Sequence, residues 1–240
     1  MIKEKLISLY FRDMYAPTWI SLFINPFYFV RKGLYVHIKD IAPNITGRTL
    51  DVGCGSEPYK SLYKSSEYVG LEFDTPENRR IKNADYFYDG NTFPFKEDDF
   101  DSIVASEVFE HVFNPDNFLD EIHRILKKDG KLFMTMPFVW DEHEQPFDYA
   151  RYSSYGIKAT LEKHGFEILE QRKSVDDIRV IFQLMNLYIL NKLRTKSGVL
   201  NQLMILVLIA PLNIFGSLIN LILPSNSELY LSNIILARKL

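Results

Sequence analysis

Thr49-Leu50-Asp51-Val52-Gly53-Cys54-Gly55-Ser56-Glu57-Pro58-Tyr59 decides how this chain is read, because a short apolar run delivers an acid and two closely spaced glycines to a single turn. Such a run predicts a strand that ends in a ligand-contacting loop. Glycines there tolerate positive φ and let a ligand approach the backbone without meeting a Cβ. A helix starting after the loop would aim its unpaired amides at that ligand. The next strand is predicted at Tyr68-Val69-Gly70-Leu71-Glu72-Phe73-Asp74. Its Glu72 falls about 20 residues beyond the loop, the position of a ribose-binding acid in nucleotide-binding α/β folds. Pro58 stands where a dinucleotide fingerprint has its third glycine, which argues against NAD.

With these residues in view, the chain resembles the class I S-adenosylmethionine-dependent methyltransferases, whose first motif reads much like Leu50-Asp51-Val52-Gly53-Cys54-Gly55. The resemblance continues in order over residues 48 to 174. It implies that Glu72 holds the ribose hydroxyls and that Asp89, in Tyr88-Asp89-Gly90-Asn91, lies near the adenine amine. Asp101-Ser102-Ile103-Val104-Ala105-Ser106-Glu107 resembles the fourth strand and the loop after it, and Lys131-Leu132-Phe133-Met134-Thr135-Met136-Pro137 the fifth. The implied cofactor is S-adenosyl-L-methionine, with Asp51, Gly53, Gly55, Glu72, Asp89, Ser106 and Glu107 as its expected contacts.

Strands are predicted near 49–54, 67–73, 85–89, 101–106, 131–137 and 166–173, with a helix around 115–127. Alternating β and α elements build a parallel sheet flanked by helices, with ligands at the carboxyl ends of the strands where strand order reverses. Leu229 to Lys239 resembles the last, antiparallel strand of the methyltransferase sheet. The expected fold is therefore a doubly wound, Rossmann-like, seven-stranded α/β sheet whose last strand is antiparallel. The expected division is an aromatic helical cap at 1–47, a cofactor-binding core at 48–174, a hydrophobic helical insertion at 175–227 and the final strand at 228–240.

Composition suits a folded domain: 240 residues, 47% hydrophobic and 25% charged. The net charge of −3 offers nucleic acid no general attraction. It is unevenly spread, because residues 178–240 carry six Lys or Arg against Glu228, a net +5, which leaves −8 for residues 1–177. The acidic part would repel phosphate backbones, and no nucleic-acid partner is expected. Cys54 is the sole cysteine, so a reducing cytoplasm is the expected compartment and Cys54 a packing residue. Arg12 and Asp13 interrupt the first apolar run, and no signal-peptide cleavage is expected.

The N-terminal block interleaves Tyr10, Phe11, Tyr15, Trp19, Phe23, Phe27, Tyr28, Phe29 and Tyr35 with Lys3, Lys5, Arg12, Arg31 and Lys32, and Pro17, Pro26 and Pro43 divide it into short helices. Leu203 to Leu223 is charge-free over 21 residues, long enough for a bilayer span. A single span would leave the last strand across the membrane from the sheet it completes, and Pro211, Asn213, Gly216 and Asn220 weaken a straight span. Helices lying on a surface are expected instead. Peripheral contact of 199–223 with the inner face of a membrane, a homodimer face and intramolecular packing remain open.

The loop Pro137-Phe138-Val139-Trp140-Asp141-Glu142-His143-Glu144-Gln145-Pro146-Phe147-Asp148-Tyr149-Ala150-Arg151-Tyr152 is rich in His, Asp, Arg and aromatics after a predicted strand, and reads as the acceptor site. An imidazole titrates near neutral pH, so His143 is the expected general base, with Asp148 orienting it. Trp140, Arg151, Tyr152 and His111 are the expected substrate contacts, Arg151 as a fork for an anionic acceptor. No metal site is expected, because no Cys/His cluster has zinc spacing. The aromatic block, this loop and the greasy insertion together resemble methyltransferases of bacterial surface polysaccharide and glycolipid synthesis. That implies O-methylation of a small or lipid-linked sugar acceptor. A quinone-type acceptor and an inactive cofactor-binding scaffold are the alternatives.

Overall fold

The computed structural model of the chain describes residues 12–81 and 84–240. Lys3, Lys5, Tyr10 and Phe11 of the aromatic block lie outside them. Seven strands form one sheet: β1 Thr46–Val52, β2 Lys64–Phe73, β3 Tyr86–Tyr88, β4 Phe100–Ser106, β5 Leu126–Pro137, β6 Phe166–Ser174 and β7 Ser232–Lys239. Their order is β3-β2-β1-β4-β5-β7-β6, with β7 antiparallel. Strand order reverses between β1 and β4, which pair in parallel through Thr49 with Ser102, Leu50 with Ile103 and Asp51 with Val104. The seven-stranded Rossmann-like sheet expected from the sequence is the one found.

The helices are α1 Ser21–Ile24, α2 Tyr28–Ile41, α3 Pro76–Ile81, α4 Pro115–Ile125, α5 Ser154–Lys163, α6 Arg179–Leu193 and α7 Gly198–Ile219. Helix α4 starts at a capped Asn114 with Pro115 at its first position, a combination that costs no amide bond. It stops two residues earlier than predicted, because Leu126 turns extended and pairs with Phe100 of β4. The register between β4 and β5 then jumps from Leu126 to Lys131. Asp129, at φ 62°, turns the chain within this bulge, so β5 begins five residues before the predicted strand.

One expectation fails at β1. No α-helix follows the glycine turn; only a 3-10 turn, Lys60–Leu62, separates it from β2. β2 begins at Lys64, earlier than predicted, and the short connection containing Pro58 leaves no room for a helix. The amides at the turn are those of the loop itself.

The chain forms two compact units. One comprises 38–138, 142–172 and 233–240 and holds β1 to β5. Its core joins Leu50, Val52, Leu71, Ile103, Ala105, Leu132 and Met134 of the parallel strands to Phe118, Leu119 and Ile122 of α4, all buried. Continuous apolar runs are what strands covered on both faces require.

The other unit comprises the described residues up to His37 together with 139–141 and 173–232. Here the charge-free stretch forms α7, with a π-helical turn at Ile205–Ile209. Buried polar side chains fasten it. Asn186 Nδ2 donates to Asn213 Oδ1 at 2.8 Å, and Asn213 Nδ2 donates to the carbonyls of Leu22 and Asn25 at 3.0 and 3.2 Å. Gly216 is buried where a Cβ would come within 2.8 Å of Phe182. The opposite face is open, with Val199, Leu203, Leu206, Val207, Phe215 and Leu218 all exposed.

Candidate functional site

The glycine turn departs from β1 with Gly53 at φ 69° and Gly55 at φ 53°. A Cβ on Gly53 would stand 2.4 Å from Val108 Cγ2, so glycine is required there for both conformation and space. The turn is tied to the end of β2 by three bonds. The amides of Gly53 and Cys54 donate to the Leu71 carbonyl at 2.8 and 3.3 Å, and that of Gly55 donates to Glu72 Oε2 at 3.0 Å. Cys54 packs buried against Gly70.

Asp51 and Glu72 are 8% and 7% exposed. Tyr68 donates to Asp51 Oδ2 at 2.6 Å, and Tyr63 stacks on Tyr68 with ring centroids 6.1 Å apart. Burial pushes the Asp51 carboxyl up to about 7; the Tyr68 hydroxyl opposes this, while Glu57 and Glu72 add repulsion. Tyr63 also shares a side-chain hydrogen bond with Ser106, at the end of β4. Asp51, Tyr68, Tyr63 and Ser106 thus make one chain of contacts along the carboxyl ends of β1 and β4. Tyr63 and Tyr68 were not anticipated, because alternation along β2 marks Tyr68 as a strand residue and nothing more.

Asp89 is exposed and accepts the amides of Asn91 and Thr92 at 2.9 and 3.1 Å. Those bonds hold its carboxyl below the usual range. It caps the turn after β3, with Gly90 at φ 88°. Glu107 sits beyond Ser106 at φ 55°, its amide donating to the Thr135 carbonyl at 2.8 Å.

A second cluster lies after β4 and β5. A 3-10 turn, Phe109–His111, carries Glu110 fully buried and His111 partly exposed. The Glu110 carbonyl accepts the amides of Tyr149 and Ala150, which fastens the acceptor loop to this turn. Oε1 of Glu110 lies 3.7 Å from His111 Nε2 and 3.8 Å from His143 Nε2. Burial, followed by repulsion from Glu107, pushes the Glu110 carboxyl well above its ordinary range.

His143 Nδ1 lies 3.2 Å from Asp148 Oδ2, and its amide donates to the same oxygen at 2.9 Å. Arg151 grips both oxygens of Asp148 at 2.5 and 2.6 Å. This fork holds the Asp148 carboxyl down at about 2. The guanidinium expected to take an anionic acceptor is therefore engaged within the loop. Tyr152 is half-buried, its ring 4.9 Å from Phe109 and its carbonyl accepting from Asn233. Trp140 belongs to the other unit, where its ring lies 6.3 Å from that of Phe27. Glu110 was missed in the sequence, where it reads as one polar residue in an apolar run.

The donor set at the glycine turn fits S-adenosylmethionine. Two buried acids on adjacent strand ends supply acceptors for hydroxyl and ammonium groups, beside backbone that carries no Cβ.

Known proteins resemble this chain. An uncharacterized protein of Methanocaldococcus jannaschii is 35% identical over 126 residues, half of this chain and 54% of its own length. The mitochondrial ubiquinone biosynthesis O-methyltransferase of Bos taurus is 32% identical over 108 residues, 37% of this chain and 28% of its own. The chain thus spans about half or less of these relatives. The fold is that of Haemonchus contortus phosphoethanolamine N-methyltransferase 2, solved in complex with S-adenosyl-L-methionine, with a TM-score of 0.53 at 19% identity over 95% of this chain and 60% of that one. The family description "methyltransferase domain" matches residues 37–190, a span that takes in β1 to β6, the glycine turn and the acceptor loop. That match covers well over half of the sequence, and the chain belongs to the methyltransferase-domain family of class I, S-adenosylmethionine-dependent enzymes.

Proposed function

We propose that this chain transfers a methyl group from S-adenosylmethionine to an oxygen of a small or lipid-linked acceptor, a sugar or related amphipathic molecule. The observation that carries the cofactor half is the bond from the Gly55 amide to Glu72, beside buried Asp51. The cofactor supplies an activated methyl on a sulfonium. The protein's task is then to align donor and acceptor and to exclude water. Asp51 and Glu72 provide negative charge for a cationic ligand, and Ser106 and Glu107 border the same strand ends. Asp89 belongs to this reading through the family resemblance alone.

For the acceptor, His143 is the proton-accepting group and Asp148 its orienting partner, because the imidazole stands between that carboxylate and Glu110. Arg151 supports Asp148, while His111 and Tyr152 are the proposed acceptor contacts. A quinone-type acceptor is the second reading, favoured by the likeness to ubiquinone O-methyltransferases. The exposed apolar face of α7 supports an acceptor met at a membrane surface, with the protein cytoplasmic and peripheral at the inner face. A pair of copies could cover the same face, so a homodimer is the competing use of it.

Calorimetric titration with S-adenosylmethionine and its demethylated product tests the cofactor half. Micromolar binding that Glu72→Ala abolishes supports it, and no binding to either molecule rejects it. On a turning-over acceptor, His143→Ala should lose turnover at unchanged cofactor affinity. Unchanged turnover would remove His143 from the mechanism. A protein that binds the cofactor and methylates none of a panel of lipid-linked sugars and quinols would be the scaffold instead.

A further inference from the structure

We propose that Glu110, His111 and His143 form a binding site for one divalent transition-metal cation of the zinc class. One ligand atom from each residue lies within 4.8 Å of the others. The separations from Glu110 Oε1 to the two Nε2 atoms, 3.7 and 3.8 Å, are too long for hydrogen bonds. They exceed by only about half an ångström the ~3.3 Å between ligand atoms around a tetrahedral ion with bonds of about 2.0 to 2.1 Å. The two imidazoles, whose ligand atoms stand within 4.8 Å of each other, must also approach for the set to close on an ion.

The surroundings of both imidazoles are those of metal ligands. His111 Nδ1 lies 2.8 Å from the Phe147 carbonyl, an acceptor that fixes the proton on Nδ1 and leaves a lone pair on Nε2. His143 Nδ1 lies 3.2 Å from Asp148, which is itself clamped by the Arg151 fork and the His143 amide. Metal-binding histidines are oriented in this way, with the outer nitrogen given to a carbonyl or carboxylate and the inner one turned to the ion. Glu110 supplies the independent observation. It is wholly buried, and among the described residues no side chain donates a hydrogen bond to either of its carboxylate oxygens. A carboxyl removed from water is either protonated or paired with a cation, and an ion at this point would pair it.

Two imidazoles and one carboxylate select zinc, cobalt, manganese or ferrous iron over magnesium and calcium, which prefer all-oxygen shells. Three protein ligands leave at least one position open, as in catalytic rather than structural sites. The role of that position rests on the methyl-transfer reading: it would take an acceptor oxygen and make its hydroxyl more acidic, with His143 then a ligand instead of a base. Binding of the ion itself does not depend on that reading.

The test is titration of chelator-treated, tag-free protein with Zn2+ by calorimetry, and with Co2+ by visible absorption. One equivalent bound at micromolar or tighter affinity, with the intense absorption of low-coordinate Co2+, is expected. Glu110→Gln and His143→Gln should each weaken binding by tenfold or more. His143→Gln, at a partly exposed position, guards against a folding defect in the buried Glu110 variant. Both variants should bind S-adenosylmethionine as the parent does, which separates loss of the metal site from failure of the methyltransferase assignment. Absence of stoichiometric metal in the parent, or equal affinity in both variants, would overturn the proposal.

Discussion

The amide of Gly55 donates to Glu72 Oε2 at 3.0 Å, a bond from the turn after β1 to a side chain at the end of β2, on the edge proposed for the cofactor. Glu72 therefore shapes the loop as well as offering oxygens to a ligand. Glu72→Gln, which keeps an acceptor for Gly55, should weaken cofactor binding less than Glu72→Ala, with a loss of about tenfold against one of a hundredfold or more. Calorimetry on both variants decides this, and equal losses would show that loop geometry matters little.

Asp51 should give the proposed cofactor site a pH dependence. Its folded carboxyl titrates at about 7, above its ordinary range, so the folded state holds a proton that the unfolded chain has lost. Stability contributed by this group is present below the unfolded value and is lost as pH rises toward 7 and beyond. A cationic ligand favours the ionised form, so affinity for S-adenosylmethionine should rise about tenfold between pH 6 and 8, the limit for one proton of this pKa. Asp51→Asn should flatten that slope and make the ligand-free protein relatively more stable at pH 8. A slope unchanged in the variant would assign it to another group.

The Arg151 fork should set the acid titration of Asp148. The Asp148 carboxyl is depressed to about 2, first by the Arg151 fork, so its stabilising contribution is present above the unfolded pKa and disappears as pH falls toward 2. Arg151→Ala leaves a nearly buried carboxylate with half its partners, at a cost of about 2 kcal/mol at neutral pH. Urea midpoints measured at pH 7 and pH 3 should show the gap between parent and variant shrinking in acid. A gap that persisted would trace the loss to packing.

In the other unit, Asn213 bonds three groups at once: the Asn186 amide and the carbonyls of Leu22 and Asn25. Asn213→Leu adds hydropathy to α7 but strands those partners, and should destabilise the protein by about 2 to 4 kcal/mol. A more stable variant would mean that α7 gains from apolarity, as a membrane-embedded helix does. Thermal unfolding reads the sign directly.

The exposed residues of α7 set the last expectation. Replacing Val207 and Phe215, 66% and 55% exposed, by Ser should leave folding intact and reduce flotation with anionic liposomes at low salt. Parent protein that stays in the soluble fraction would remove the membrane reading and turn attention to self-association by sedimentation.

The sequence alone determined the sheet and pointed to the edge proposed for the cofactor, because apolar strand runs, a Gly-x-Gly turn and Glu72 at its fixed distance are local signals. A strand, a turn and a following strand constrain one another within about 25 residues, and Asp51, Gly53, Gly55 and Glu72 could all be named from that. The missing helix after β1 was a matter of connection length, which periodicity does not measure. Tertiary structure decided the rest. Glu110 and His143 are 33 positions apart, and only the folding of the loop after β5 onto the turn after β4 brings them within 4 Å. Arg151, legible as an anion fork, is engaged by Asp148 for the same reason. Burial set the Asp51 proton affinity, and the packing of Asn213 and Gly216 gave α7 one closed face and one open one. Such properties belong to surroundings assembled from distant segments, which spacing along the chain does not encode.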